Sequence, residues 1–145
     1  MRAIGYEYGY YTQDDWKKAA FIDMIVETYS EVFDACAKIL FLTEEADRPA
    51  ALDTLKDGLL TKFMTMCEKE LQNNSFSRFM VGDHLTIVDF CLASFAFNIL
   101  KNENGPFEAA FSNVAMCYPF FGAYIKRMQA EFAIQLQSRS RYNMI

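Results

Sequence analysis

No run of basic residues appears in this chain, and its formal net charge at pH 7 is -5. An acidic chain repels phosphate backbones, which sets nucleic-acid binding aside. Lys126, Arg127, Arg139 and Arg141 gather late. They read as a solvated helix face with positive charge placed where a helix C-terminus favours it. The longest apolar stretch, Phe90 to Leu100, falls short of the ~20 residues that cross a bilayer. The first residues lack the apolar region of a signal peptide. Cysteine is sparse, and no Cys-x-x-Cys pair occurs, so spacing supports neither a zinc site nor any other metal site. Cys36, Cys67, Cys91 and Cys117 read instead as small buried hydrophobes in a reducing compartment, with no disulfide framework. No window alternates with a period of two, so no strand is expected. Repeats and low-complexity linkers are missing too. These absences describe an intracellular chain without membrane insertion, with the cytoplasm favoured and an organelle left open.

What is present is core material. At 145 residues, 52% hydrophobic and 16% aromatic, the chain suits one domain and excludes disorder. Its most informative stretch runs from Phe79 to Phe90. Thr86 can cap a helix, and Asp89, three residues on, can reach back to the amide of Thr86 in a capping box. Leu85 before the cap and Phe90 after it are spaced for a hydrophobic staple. The following residues, to Leu100, are apolar on almost every side, which marks a central buried helix. The fold class expected is all-α, a helical bundle around that capped helix.

The rest of the chain reads as helices joined by short turns. Arg2 to Tyr8 suits a short helix ended by Gly9. Asp14 and Asp15 suit the start of a long helix with its stripe at Phe21, Ile25, Tyr29, Val32, Cys36 and Leu40. Pro49 opens another helix, with its stripe at Leu52, Leu55, Leu59, Phe63, Met66 and Leu71, and Asn73-Asn74-Ser75 ends it. Asn102 to Pro106 is a turn, and Phe107 to Phe111 a short helix. Pro119 opens the last helix, whose stripe is Phe121, Tyr124, Met128, Phe132 and Leu136.

Three stretches carry a family resemblance. They are Arg2-Ala3-Ile4 through Tyr11 with Ala19 to Met24, Val81-Gly82-Asp83 through Asp89, and Tyr118-Pro119-Phe120 through Arg127 with Leu136 to Tyr142. In this order they resemble the C-terminal helical domain of cytosolic glutathione transferases, with the alpha, mu, pi and sigma classes most similar. The resemblance covers essentially residues 1–145 as one domain, with 1–13 matching the end of a preceding helix and a connection. It implies that the thioredoxin-like domain, which binds glutathione and activates its thiol, is missing from this chain. No residue is therefore assigned a catalytic role, and no cofactor is expected. Glutathione enters only if that domain is supplied.

Asp23, Glu27 and Glu31 recur every four residues on the long helix, where like charges repel. They form either a solvated acidic face or a surface facing a cation. The resemblance implies a two-fold interface in which Arg2 faces Asp23, and a contact from Glu31 to glutathione on the other subunit; Glu27, on the same row, is a further interface candidate. Family members usually carry Asp at the Glu31 position. By the same match, Ala37 and Phe41 fall on the family's wall for hydrophobic electrophiles, although ordinary core or interface packing is the better account of such residues. His84, the single histidine, sits in the cap loop as an exposed residue. Capping accounts for Asp89. Met64, Met66 and Met128 lie on or beside apolar stripes and read as core.

Two functions follow. The first is a non-catalytic module for protein–protein assembly, as a homodimer or a subunit, through an apolar face that includes Tyr6, Tyr8 and part of the central and last helices. The second is the electrophile-binding half of a glutathione transferase. A small-molecule carrier has only aromatic content behind it.

Overall fold

The computed structural model describes residues 1–12, 14–74, 78–102, 105–111 and 113–138, and its fold grows outward from the capped segment. Helix α5 (Ile87–Phe95) begins at Thr86, which is extended, and runs directly into a wide π turn over Ala96–Leu100. Every residue of α5 except Phe90 and Ser94 is buried, as are Ala96, Phe97, Ile99 and Leu100. This is the enclosed helix that the all-round apolar pattern requires.

The other elements wrap it. Helix α1 (Arg2–Glu7) is followed by Gly9 at φ +76°, a left-handed turn that glycine adopts at no steric cost. Helix α2 (Trp16–Leu42) starts on Asp15, whose carboxylate accepts from the amides of Lys17 (3.1 Å) and Lys18 (3.0 Å). It packs against α5 and against α3 (Arg48–Leu55). Its buried residues are Ile22, Ile25, Val32, Cys36 and Ile39. Phe21 and Leu40 sit at the margin of the stripe, half-buried, and the adjacent isoleucines take the centre.

Helix α3 continues through a second π turn, Lys56–Leu60, into α4 (Thr61–Asn73). The wide turn corrects the expected stripe. One extra residue is taken up around Gly58, so Leu60 is buried where Leu59 was expected, and Met64 and Cys67 join Phe63 and Leu71 in the core. Asn73 ends α4 with Asn74 as its cap, while Ser75 lies outside the described residues.

Helix α6 (Glu108–Phe111) packs on the π turn after α5, and Phe107 stacks on Phe111 with ring centroids 5.7 Å apart. Helix α7 (Pro119–Glu131) lies against α4 and α5. Pro119 occupies its first turn, and Glu68 of α4 accepts from the next two amides, Phe120 (3.0 Å) and Phe121 (2.8 Å). The last helix is not continuous. It stops at Phe132 and resumes as α8 (Ala133–Ser138). No proline or glycine signals that break. Among the described residues there is no strand, and no helix is long and apolar enough to cross a membrane.

Candidate functional site

Asp89 is the most connected polar group of the core. Its side chain is 0% exposed and accepts four hydrogen bonds. Oδ2 receives the Thr86 amide (2.8 Å) and the Thr86 hydroxyl (3.1 Å), which closes the capping box. Oδ1 receives the Met80 amide (2.9 Å) and the Tyr124 hydroxyl (2.8 Å). One carboxylate thus ties the cap of α5, the loop before it and α7. Burial, followed by the neighbouring Asp89 charge, pushes the Tyr124 phenol well above its ordinary value of 10.0. Every bond here holds structure together, and no polar edge of the group is left for a substrate. Phe90, outside this centre, sets its ring edge-on to Tyr10 at 5.0 Å and against Phe132 at 5.3 Å. Leu85 is half-buried against the core.

A second cluster fastens α1 to α2. Arg2 Nε donates to Asp23 Oδ1 at 2.6 Å, and its second arm reaches Glu27 Oε1 at 2.5 Å. Tyr11 donates to the other oxygen of Asp23 at 3.1 Å. The cation facing Asp23 and Glu27 is therefore supplied within one chain. The hydrogen bonds to Asp23 and Glu27 raise the Arg2 pKa further, and partial burial with the bond to Asp23 raises that of Tyr11. Beneath the cluster, the backbone of Gly5 touches α5. A Cβ at Gly5 would stand 2.6 Å from Ile87 Cγ2. Residue 5 is the only buried one in α1, whereas Met1, Ile4 and Tyr8 are all exposed.

A cleft of about 350 Å³ opens between the connection after α1, the first turns of α2 and the cap loop. Gly9, Tyr11, Thr12, Asp15, Lys18, Ile22, His84 and Thr86 line it. Lys18 Nζ lies 3.4 Å from His84 Nε2, and His84 Nδ1 lies 2.8 Å from Asp83 Oδ1. An ammonium only donates, so Nε2 accepts and the ring proton sits on Nδ1, facing Asp83. The hydrogen bond from His84 holds the Asp83 carboxyl below its ordinary value. The lone histidine of the sequence thus has partners from two elements, one of them 66 residues away.

The remaining site residues lie apart. Glu31 is exposed on α2, Ala37 is half-buried, and Phe41 is 73% exposed near the end of that helix. Met64 and Met128 are in the core, with Met66 packed at its edge. Arg127 donates to the Arg78 carbonyl at 3.4 Å, while Arg139 and Arg141 lie outside the described residues. The cysteine expectation needs one correction, because Cys117 is exposed at the end of a short 3-10 turn. Cys36, Cys67 and Cys91 are buried and unbridged. Burial pushes Cys36 up to about 12 and Cys91 up to about 11, and drives Cys67 higher still. A thiol so raised is neither nucleophile nor metal ligand near neutrality. Among the described residues, no group of three or more His, Cys, Asp or Glu is placed to hold a metal.

Sequence reasoning found the Thr86–Asp89 pair because its signal is local. It missed Met80, Tyr124, Glu68 and Lys18, whose roles depend on contacts far apart in the chain. Comparison with known proteins agrees with the helical architecture. The family model described as Glutathione S-transferase, C-terminal domain, matches residues 30–136. None of the curated proteins compared with the chain matches it.

Proposed function

Because this chain belongs to the glutathione S-transferase C-terminal domain family, we propose that it serves as a non-catalytic helical module for protein–protein assembly. One observation carries the reading, the outer face of α1. Ile4 is 64% exposed and Tyr8 66% exposed, four residues apart and so on one side of the helix. Met1 continues this face toward α5, where its Sδ lies 3.5 Å from Cys91 Sγ, and Phe90 is partly exposed nearby. Apolar side chains gathered this way mark an interaction surface. The partner is a second copy of this chain or another subunit. The buried, raised thiols and the fully engaged Asp89 support a structural task for the polar groups inside.

A single comparison tests this. Wild-type chain and an Ile4→Asp/Tyr8→Asp variant are followed by sedimentation velocity over a concentration series and by recovery of bound proteins from native extract. Self-association or a captured protein that the variant loses supports the module. Monomeric wild type, recovering the same proteins as the variant, refutes it.

Phe41 supports a second reading. Its exposed ring on α2 is free to form part of a wall for a hydrophobic electrophile, beside a glutathione-binding domain outside this chain. Saturable turnover of glutathione with an aromatic electrophile by the purified chain would displace the first reading.

A further inference from the structure

The cleft at the start of α2 has no part in the assembly reading, and its chemistry is specific. Two nitrogens converge there from separate elements, Lys18 Nζ from α2 and His84 Nε2 from the cap loop, 3.4 Å apart. The charged and titratable groups facing them are Asp83 behind the imidazole, Asp15 across the cleft, and Tyr11 on the wall. Asp83 already holds Nδ1. Asp15 is turned onto the first amides of α2. The Tyr11 hydroxyl is given to Asp23. None of these acids stands between the two nitrogens.

We propose that the cleft is a carboxylate site, selective for a small organic monoanion with an apolar group and favoured at mildly acidic pH. Neutral His84 offers Nε2 to Lys18 as an acceptor. Once protonated it has no lone pair there, and two cations then face each other across 3.4 Å. A carboxylate bridging them replaces repulsion with two charge-assisted hydrogen bonds. Asp83 stays in place on the far side of the ring and supports the protonated imidazole. The apolar part of the ligand lies against the half-buried ring of Tyr11. The nearby Asp15 charge penalises a dianion more than a monoanion, which is why the site is assigned to a carboxylate and not to a dianion such as sulfate.

Benzoate is the probe, with acetate, sulfate and uncharged benzyl alcohol as comparisons, all at ionic strength matched with chloride. Its carboxylate stays ionised across the range in which histidine titrates. Binding is read from the His84 Cε1–H resonance of the full chain at about pH 5.5 and about pH 8. Benzoate is expected to shift the resonance saturably and to bind more tightly than acetate or sulfate. Affinity is expected to fall about tenfold at the higher pH, the order expected for one charge at ~4 Å near water. Lys18→Met and His84→Asn are each expected to weaken binding by a similar factor, with the His84→Asn variant read from the Tyr11 ring. Sulfate binding as tightly as benzoate would reassign the site to another anion class and overturn the proposal. So would a benzoate effect matched by benzyl alcohol, unchanged in Lys18→Met, or equal at both pH values.

Discussion

Replacing Asp89 by Asn separates a helix cap from a structural hub. An ordinary cap is worth about 1 kcal/mol. The geometry of Asp89 implies more. Each carboxylate oxygen takes one backbone amide and one hydroxyl, Thr86 N with Thr86 Oγ1 on one side and Met80 N with Tyr124 Oη on the other. Asparagine keeps one oxygen and puts an NH2 in place of the other. Hydroxyls can turn and accept from that NH2, but a backbone amide cannot. Whichever way the carboxamide is placed, one buried amide loses its acceptor, at roughly 1–3 kcal/mol. The bonds that remain lose the assistance of the charge, about 1 kcal/mol each on the difference between charged and neutral hydrogen bonds. Relief from burying a charge offsets part of this. The net expected loss is about 2–4 kcal/mol. With a urea slope of about 2 kcal/mol per molar, the midpoint falls by about 1–2 M. Far-UV circular dichroism is the appropriate probe, since Trp16 is exposed and its fluorescence reports little of the core. Tyr124→Phe removes a single donor and is expected to cost about 1 kcal/mol. An Asp89→Asn variant within about 0.5 kcal/mol of wild type would refute the hub.

Three further outcomes are expected. A disulfide reagent should label Cys117 in the native protein and reach Cys36, Cys67 and Cys91 only on unfolding; prompt labelling of all four would contradict their burial. Stability should erode in alkali. Cys36, Cys91 and Tyr124 all have folded-state pKa values raised above 9.0 for the thiols and 10.0 for the phenol, so their contribution is whole below those values and is lost as pH rises through the folded ones. Melting temperature should therefore decline from pH 9.0 upward, less steeply in Tyr124→Phe, and a flat profile would contradict the assignment. Gly5→Ala should force α1 off Ile87, costing about 1–3 kcal/mol and opening residues 1–12 to limited proteolysis; unchanged protection would show that α1 yields easily.

The sequence made legible whatever depends on near neighbours. The capping box, the enclosed helix after it, Pro49 and Pro119 in first turns, and Gly9 closing α1 all rest on local rules, and all appear in the fold. Distant partners were not legible. Asp89 read as a cap because Thr86 is three residues away, whereas Tyr124 is 35 away and shows only as one more aromatic on a stripe. The Leu59-to-Leu60 shift escaped because a hydrophobic pattern assumes uniform winding, and nothing at Gly58 announces a widened turn. His84 read only as an exposed loop residue because Lys18 reaches it only after α2 folds against the cap loop. Cys117 read as buried by residue type, although it lies in a short surface segment.

The wide turn at Lys56–Leu60 gives the rod from α3 to α4 one residue of slack. Leu55 and Leu60 point to the same interior although five positions separate them. Ordinary winding brings residues four apart onto a common side. Excising Gly58 would therefore rewind this stretch into a regular spiral without turning Phe63, Met64, Cys67 or Leu71 toward water. Few buried helices can shorten by a residue and keep every inward side chain facing inward.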